Sequence, residues 1–149
     1  MATTITPADL TVSITESCTL NGADQGGTHT LTVSSVTQIS KSIINVGTSV
    51  ADILGFGSVN AQGQFVRTSV KYIRVTNLDD TNFIVLGLSK TGADTFFIKL
   101  EPSKTIMFGN DDLEIHATDG AFSAFVEADN ISAQADTAAC DLELFVALV

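Results

Sequence analysis

The residues of this chain that could hold a cation are carboxylates gathered in short turn segments. The three groups are Asp24 after Asn21-Gly22, Asp79-Asp80, and Asp111-Asp112 followed by Glu114. Carboxylate oxygens are ligands that Ca²⁺ favours, but no group has the alternating Asp or Asn positions, the Gly and the late Glu of an EF-hand loop. Asp and Asn also form turns by bonding their own backbone. We therefore expect turns here, and no metal or other cofactor.

Histidine, glycine and cysteine patterns supply no catalytic constellation. His29 and His116 are the only histidines, and a metal or acid–base site needs such groups clustered. The stretch Gly-Phe-Gly-Ser at 55–58 continues into neither a nucleophile elbow nor a phosphate loop. Cys18 and Cys140 match no metal or redox spacing. We expect two buried thiols, with a bridge still open if the terminal segments are neighbours. The sequence predicts no catalytic residue, and hence a protein that is not an enzyme.

The charge of the chain is strongly negative and unevenly distributed. The net charge is −10, and residues 105–149 hold nine Asp or Glu with no Lys or Arg. Residues 67–104 carry six basic against four acidic residues. An acidic surface repels phosphate, so we expect neither nucleic acid nor a membrane as partner. The basic middle could pair with the acidic end inside one fold, which we favour, or with that of a neighbouring copy.

The elements that position these residues should be β-strands, because apolar and polar residues alternate with a period of two. Leu142, Leu144 and Val146 alternate with Glu143 and Phe145. Strands are predicted at residues 10–15, 28–34, 37–46, 49–56, 70–76, 83–89, 95–101, 105–108, 113–118, 123–128 and 141–148. Only 133–139 and, less clearly, 49–54 could form a helical turn. We predict one all-β domain over residues 1–149, an antiparallel β-sandwich or jelly roll, with residues 1–8 as an N-terminal arm.

The predicted core and the predicted contact residues follow from this alternation. The core should contain Ile73, Val75, Ile98, Leu100, Ile115, Val126, Leu142, Leu144 and Val146. Several aromatic side chains instead fall on faces that should be wet, and a loop, an edge or another subunit must cover them. We favour subunit contacts and expect a homo-oligomer, with a trimer preferred. The interface candidates are Phe97, Phe145, Phe83 and Tyr72.

Three segments carry a resemblance to a known class of protein. They read VKYIRVTNLDDTNF at 70–83, FIKLEPSK at 97–104 and ACDLELFV at 139–146, and SITES at 13–17 and LNGAD at 20–24 add to the likeness. The chain resembles small β-sandwich virion proteins of tailed bacteriophages, which decorate heads or build tail parts. The resemblance implies a non-enzymatic protein with no catalytic residue to carry over.

The resemblance also implies partners and a location. The expected role is a capsid decoration or cement protein that binds the major capsid protein or other virion proteins. A tail or fibre component is the alternative, and a carbohydrate-binding module is disfavoured by the absence of Trp and the single Tyr. The chain shows no signal peptide and no long apolar run. We therefore expect synthesis in the host cytoplasm and a place in the virion.

Overall fold

The computed structural model describes residues 4–59, 61, 63–90, 95–110 and 128–149. Strands make up 67% and helix 2% of this part of the chain, which confirms the predicted all-β fold. The strands are β1 Ala8–Glu16, β2 Thr19–Leu20, β3 Ala23–Asp24, β4 Gly27–Val36, β5 Gln38–Val46, β6 Ala51–Gly57, β7 Gln64–Val66, β8 Val70–Asn77, β9 Ile84–Ser89, β10 Phe96–Leu100, β11 Thr105–Gly109, β12 Asn130–Ala135 and β13 Cys140–Leu148. A single 3₁₀ turn, Arg67–Ser69, separates β7 from β8.

Two sheets face each other across the main core. One has the order β10-β9-β12-β6-β7 and the other β11-β8-β13-β5. Neighbouring strands are antiparallel except for the parallel pair β6–β7. Apolar side chains at every second position of β8 and β13, such as Val75 and Leu144, pack against Leu86 and Ile131 of the opposite sheet. The alternation in the sequence therefore selects the inward face, as the β-sandwich prediction requires.

A long hairpin forms a third layer. Strands β1 and β4 pair with each other from Ala8↔Val36 to Glu16↔Gly27 and with no other described strand. The base of this hairpin rests on the outer face of the four-stranded sheet, where Val33 and Val36 join Tyr72 and Ala147 in a second apolar cluster. The four-stranded sheet is thus the middle layer, and the hairpin covers part of its outer face over β8 and β13.

The close approach of the hairpin depends on a glycine. A Cβ atom at Gly109 in β11 would lie 2.7 Å from Cδ2 of Tyr72 and 2.8 Å from Cδ2 of Leu31. These distances are shorter than van der Waals contact, so a larger residue would require the Tyr72 or Leu31 side chain to move. Gly109 therefore allows the third layer to pack tightly beside this edge of the sheet.

Most strand predictions agree with the structure, with defined exceptions. The helical turn that the sequence allowed at 133–139 does not form, because β12 extends to Ala135 and bends follow it. The helical turn considered at 49–54 is also wrong, because β6 begins at Ala51. The short strands β2, β3 and β7 were not predicted. The predicted strand at 113–118 and nearly all of that at 123–128 lie outside the described residues.

The predicted core is largely confirmed. The residues Ile73, Val75, Leu100, Leu142, Leu144 and Val146 are buried, and Ile98 is partly buried against them. Ile115 and Val126 fall outside the described residues. The structure contains no helix, within the ranges it describes, that is long and apolar enough to cross a membrane.

The burial of Leu144 provides a test of the core. Leu144 is 3% exposed in the middle of β13, and we expect Leu144→Ala to lower the free energy of unfolding by about 2–5 kcal/mol through lost apolar contact and a residual cavity. Urea denaturation measures this change. The matched control is Ile43→Ala in the neighbouring strand β5, where Ile43 is 65% exposed. Equal effects of the two substitutions would contradict the assignment of the inward face.

Candidate interaction surfaces

Two of the predicted interface aromatics lie beneath the hairpin. Tyr72 is buried, and Phe145 is half-buried in the same cluster. Their rings meet edge to face with centroids 5.9 Å apart, and the guanidinium of Arg74 lies 5.8 Å from the Phe145 centroid. Burial raises the pKa of Tyr72 above its ordinary value of 10.0, while the charge of Arg74 opposes this rise. Cover for these outward aromatics comes from within the chain, which is one of the alternatives that the sequence left open.

The other two predicted aromatics lie on the five-stranded sheet. Phe97 in the edge strand β10 is 63% exposed, and its ring covers Gly87, where an added Cβ would lie 3.3 Å from Phe97 Cε1. Phe96, which is not among the predicted interface residues, is similarly exposed. Phe83 is half-buried, with the Lys99 ammonium 4.1 Å from its ring centroid. Of the four candidates, Phe97 alone offers a large exposed apolar side chain.

A charge cluster crosses three strands of the four-stranded sheet. The Glu143 carboxylate in β13 pairs with Lys41 Nζ of β5 at 3.0 Å and with the Arg74 guanidinium of β8. Arg74 Nη1 also donates to Thr76 Oγ1 at 2.7 Å. Hydrogen bonds from Lys41 and then from Arg74 hold the pKa of Glu143 below its ordinary value. This cluster fixes Arg74 above Phe145 and neutralises charge on the outer face.

Basic and acidic regions of the sequence do pair within the chain. In addition to the contact between Arg74 and Glu143, Arg67 Nη2 lies 2.8 Å from Asp129 Oδ1. Both pairs join the basic middle to the acidic last third. These two contacts therefore follow the alternative that we favoured from the sequence, in which basic and acidic regions pair inside one fold.

The distal half of the hairpin, residues 13–30, projects away from the sandwich. All of its residues are exposed except the half-buried Gly26. Its tip is a two-residue turn in which Asn21 and Gly22 both have positive φ, 52° and 79°, the geometry that Asn-Gly favours in hairpins. Leu20 beside the turn is 62% exposed. This half contains Glu16 and Asp24 and no Lys or Arg.

An apolar cleft opens where the distal half leaves the body. It has a volume of about 360 Å³ and lies between β1 and β4 on one side and β8 and β11 on the other. Apolar side chains dominate its walls, with His29 at the hairpin side. They are Val12, Ile14, Leu31, Tyr72 and Met107. The cleft continues the buried cluster outward and adds apolar surface to the underside of the hairpin.

The residues that could have done chemistry have structural roles where they are described. Asp79 Oδ1 accepts hydrogen bonds from the backbone N–H groups of Asn82 at 2.6 Å and Thr81 at 2.8 Å, which lower the pKa of Asp79. Asp24 Oδ1 accepts from the Gly26 N–H at 2.9 Å. These are turn contacts, as expected.

The remaining candidate residues either pack within the fold or fall outside the described residues. Gly57 in the 55–58 stretch belongs to β6 and lies against Gln64, where an added Cβ would be 2.4 Å from Nε2. His116 and the acidic group Asp111, Asp112 and Glu114 fall outside the described residues. Across the described ranges, His, Cys, Asp and Glu form no group of three that could hold a metal ion.

The two cysteines have different surroundings. Both are free; Cys140 is buried and Cys18 is exposed. Burial, followed by the charges of Asp79, Asp136 and Asp141, raises the pKa of Cys140. The prediction of two buried thiols is wrong for Cys18, because that residue sits in the projecting half of the hairpin.

Sequence reasoning missed one apolar surface that the structure shows clearly. Ile39 and Ile43 point outward from β5 and are 55% and 65% exposed. The signal was present, since both alternate with Ser40 and Ser42, but it resembles that of any half-buried strand. Only the strand order places β5 at the end of its sheet. Comparison with known protein families, curated proteins and solved structures finds no match.

The charge cluster predicts a pH-dependent stability. Because the folded-state pKa of Glu143 lies below its ordinary value of 4.5, its ion pairs stabilise the fold fully above that value and lose this effect as the pH falls through the lowered pKa. We expect Glu143→Gln to lower the urea midpoint at neutral pH and to match the wild type in strong acid. Urea titrations over this range measure the difference.

The control for this experiment is Glu101→Gln. Glu101 pairs with Lys99 at 2.7 Å, but both side chains are 53% exposed, and exposed pairs contribute little to stability. We therefore expect a small effect at every pH. A difference between wild type and Glu143→Gln that stays constant from neutral to strongly acid pH would contradict the role of the cluster.

Proposed function

We propose that this chain is a non-enzymatic structural protein of a bacteriophage virion, specifically a capsid decoration protein that binds the major capsid protein. The observation that carries the proposal is the projecting half of the hairpin, residues 13–30, which extends from the sandwich with its surfaces exposed. The resemblance of the 70–83, 97–104 and 139–146 segments to small virion proteins supports the same role.

The hairpin suits binding because its base is fixed and its distal half is free. The base buries Val33 and Val36 against Tyr72 and Ala147. Within the base, the Ser35 N–H donates to Asp9 Oδ1 at 3.1 Å, which joins β4 to β1 where their register shifts. A strand pair held at one end needs little additional ordering when it meets a partner, so less conformational entropy opposes binding.

The surface of the distal half indicates a protein partner. Leu20 and Ile14 supply apolar contact area, and the cleft behind them, lined by Val12 and Met107, can accept an apolar side chain. Glu16 and Asp24 favour a partner surface that is neutral or basic. The net charge of −10 opposes contact with the phosphates of nucleic acid or an anionic membrane.

Copy number in purified particles tests the proposed role. We expect quantitative mass spectrometry of the virions that carry this protein to find it in amounts comparable to the major capsid protein. A few copies per particle would favour the alternative, a tail or fibre component. Absence from particles would overturn the virion assignment.

A variant tests the hairpin itself. Leu20→Lys places a charge on the exposed tip and leaves the core unchanged. When the purified variant is added to particles that lack this protein, we expect the particles to bind much less of it than of the wild type. The matched control is Val50→Lys, which introduces a lysine at a similarly exposed site just before β6. Equal retention of Leu20→Lys and the wild type would show that the tip does not bind the capsid.

A further inference from the structure

The sandwich ends in four edge strands, and one of them differs from the rest. Among the described residues β7 has three residues, β10 and β11 have five each, and β5 has nine. Strand β5 pairs along its whole length with β13, from Gln38↔Leu148 to Val46↔Cys140. No described strand pairs with its other side. An edge of this length presents a row of backbone donors and acceptors to any strand that can align with it.

Strand β5 lacks the features with which proteins usually protect a sheet edge. It contains no Pro and no Gly, and its register with β13 is continuous, without a bulge. Its single charge, Lys41, pairs with Glu143 on the neighbouring strand. An edge lysine normally discourages pairing, but this one has its charge balanced from inside its own sheet.

The exposed face of β5 is apolar at the positions beside Lys41. Ile39 and Ile43 are 55% and 65% exposed, whereas the third outward neighbour, Asn45, donates to Asp141 Oδ1 at 2.9 Å. Two isoleucines on an edge that no described strand pairs with favour a cross-strand neighbour, because β-branched side chains gain contact when a second strand lies opposite.

We propose that β5 is a self-association edge, at which it pairs antiparallel with β5 of a second copy of this chain. The pairing joins two four-stranded sheets into one continuous sheet about a twofold axis. This inference goes beyond the proposed function and does not depend on it.

The register follows from length and charge. Centring the twofold axis on Ser42 aligns all nine residues of both strands and places Lys41 opposite Ile43 of the other copy. Moving the axis to Lys41 would set the two lysines opposite each other, which is unfavourable. The Ser42 register therefore gives the longest ladder, and it gives each exposed Ile43 an aliphatic neighbour in the lysine stem.

A second copy is the occupant that this edge fits best. The other described edges of the sandwich are too short to match nine residues, whereas β5 matches itself over its full length. The hairpin strands β1 and β4 have nine and ten residues, but their register shifts between Ala8 and Leu10. Copies of a chain with net charge −10 repel one another, and the paired Lys41 and Glu143 make this edge locally neutral. An isologous pairing closes after two copies, so it gives a dimer rather than the trimer favoured by the sequence.

Sedimentation equilibrium of the purified chain tests the proposal. We expect a concentration-dependent shift from 15.6 kDa to twice that mass, which strengthens with added salt because repulsion between copies is screened. Ile43→Lys should raise the dimer dissociation constant by about tenfold or more, since it adds like charge to the ladder. Ile39→Lys should act in the same direction. Leu20→Lys, with the same change in charge at an equally exposed site, should leave the constant unchanged.

Hydrogen exchange identifies the surface independently of the variants. In the dimer, alternate amides of β5 should become protected with rising protein concentration, while those of β10 and β11 should not change. Urea midpoints equal to the wild type will show that the variants fold. A chain that stays monomeric at all concentrations and salts would overturn the proposal. So would a dimer that Ile43→Lys and Ile39→Lys leave intact, or β5 amides that become protected only on virion binding.

Discussion

Apolar side chains on both faces of the four-stranded sheet impose the main constraint on this structure. Strand β13 turns Leu142, Leu144 and Val146 toward the five-stranded sheet and Phe145 with Ala147 toward the hairpin. A sheet of this kind cannot face water on either side without a large loss of apolar burial. The hairpin base is therefore part of the fold, and the tight contact at Gly109 shows how closely it must approach. Its distal half is available for other contacts because the base already covers the outward aromatic residues Tyr72 and Phe145.

Electrostatics in this chain are arranged to prevent repulsion inside the fold while the whole remains acidic. Glu143 lies between Lys41 and Arg74, and Asp129 meets Arg67, so the scarce basic residues are placed beside carboxylates from the last third. A buried polar side chain is likewise matched with partners inside the fold. The Asn77 amide is fully buried and donates to the carbonyl oxygens of Asn82 and Leu100 while its oxygen accepts from the Asp79 N–H. The excess negative charge remains on surfaces that stay in water.

Local pattern in the sequence sufficed for the strands and their inward faces, but not for how the layers combine. Alternation at Leu142 to Val146 identifies one buried face because successive side chains of a strand point to opposite faces, and the apolar ones mark the buried side. It also flagged Phe145 as apolar on the outer face, yet could not tell a covering hairpin from a second subunit. That distinction depends on β1 and β4, more than a hundred residues away. The alanines of β12 made its sequence resemble a helical turn. Pairing with β6 and β9 overrides that weak local propensity. The free edge at β5 depends on strand order, which no local window contains.

The place of β13 between β5 and β8 has a consequence for how the chain reaches its native state. Its partner β5 lies about a hundred positions earlier, with Gln38 opposite Leu148. The middle sheet therefore cannot close until the residues of β13 have left the ribosome. Until then the hairpin, made among the first residues, has no surface on which to bury Val33 and Val36. Pairings of such high sequence separation slow folding, because the entropy of closing the long loop is lost before the stabilising contacts form. Folding should thus be cooperative and late, because β13 completes the middle sheet on which both the five-stranded sheet and the hairpin pack.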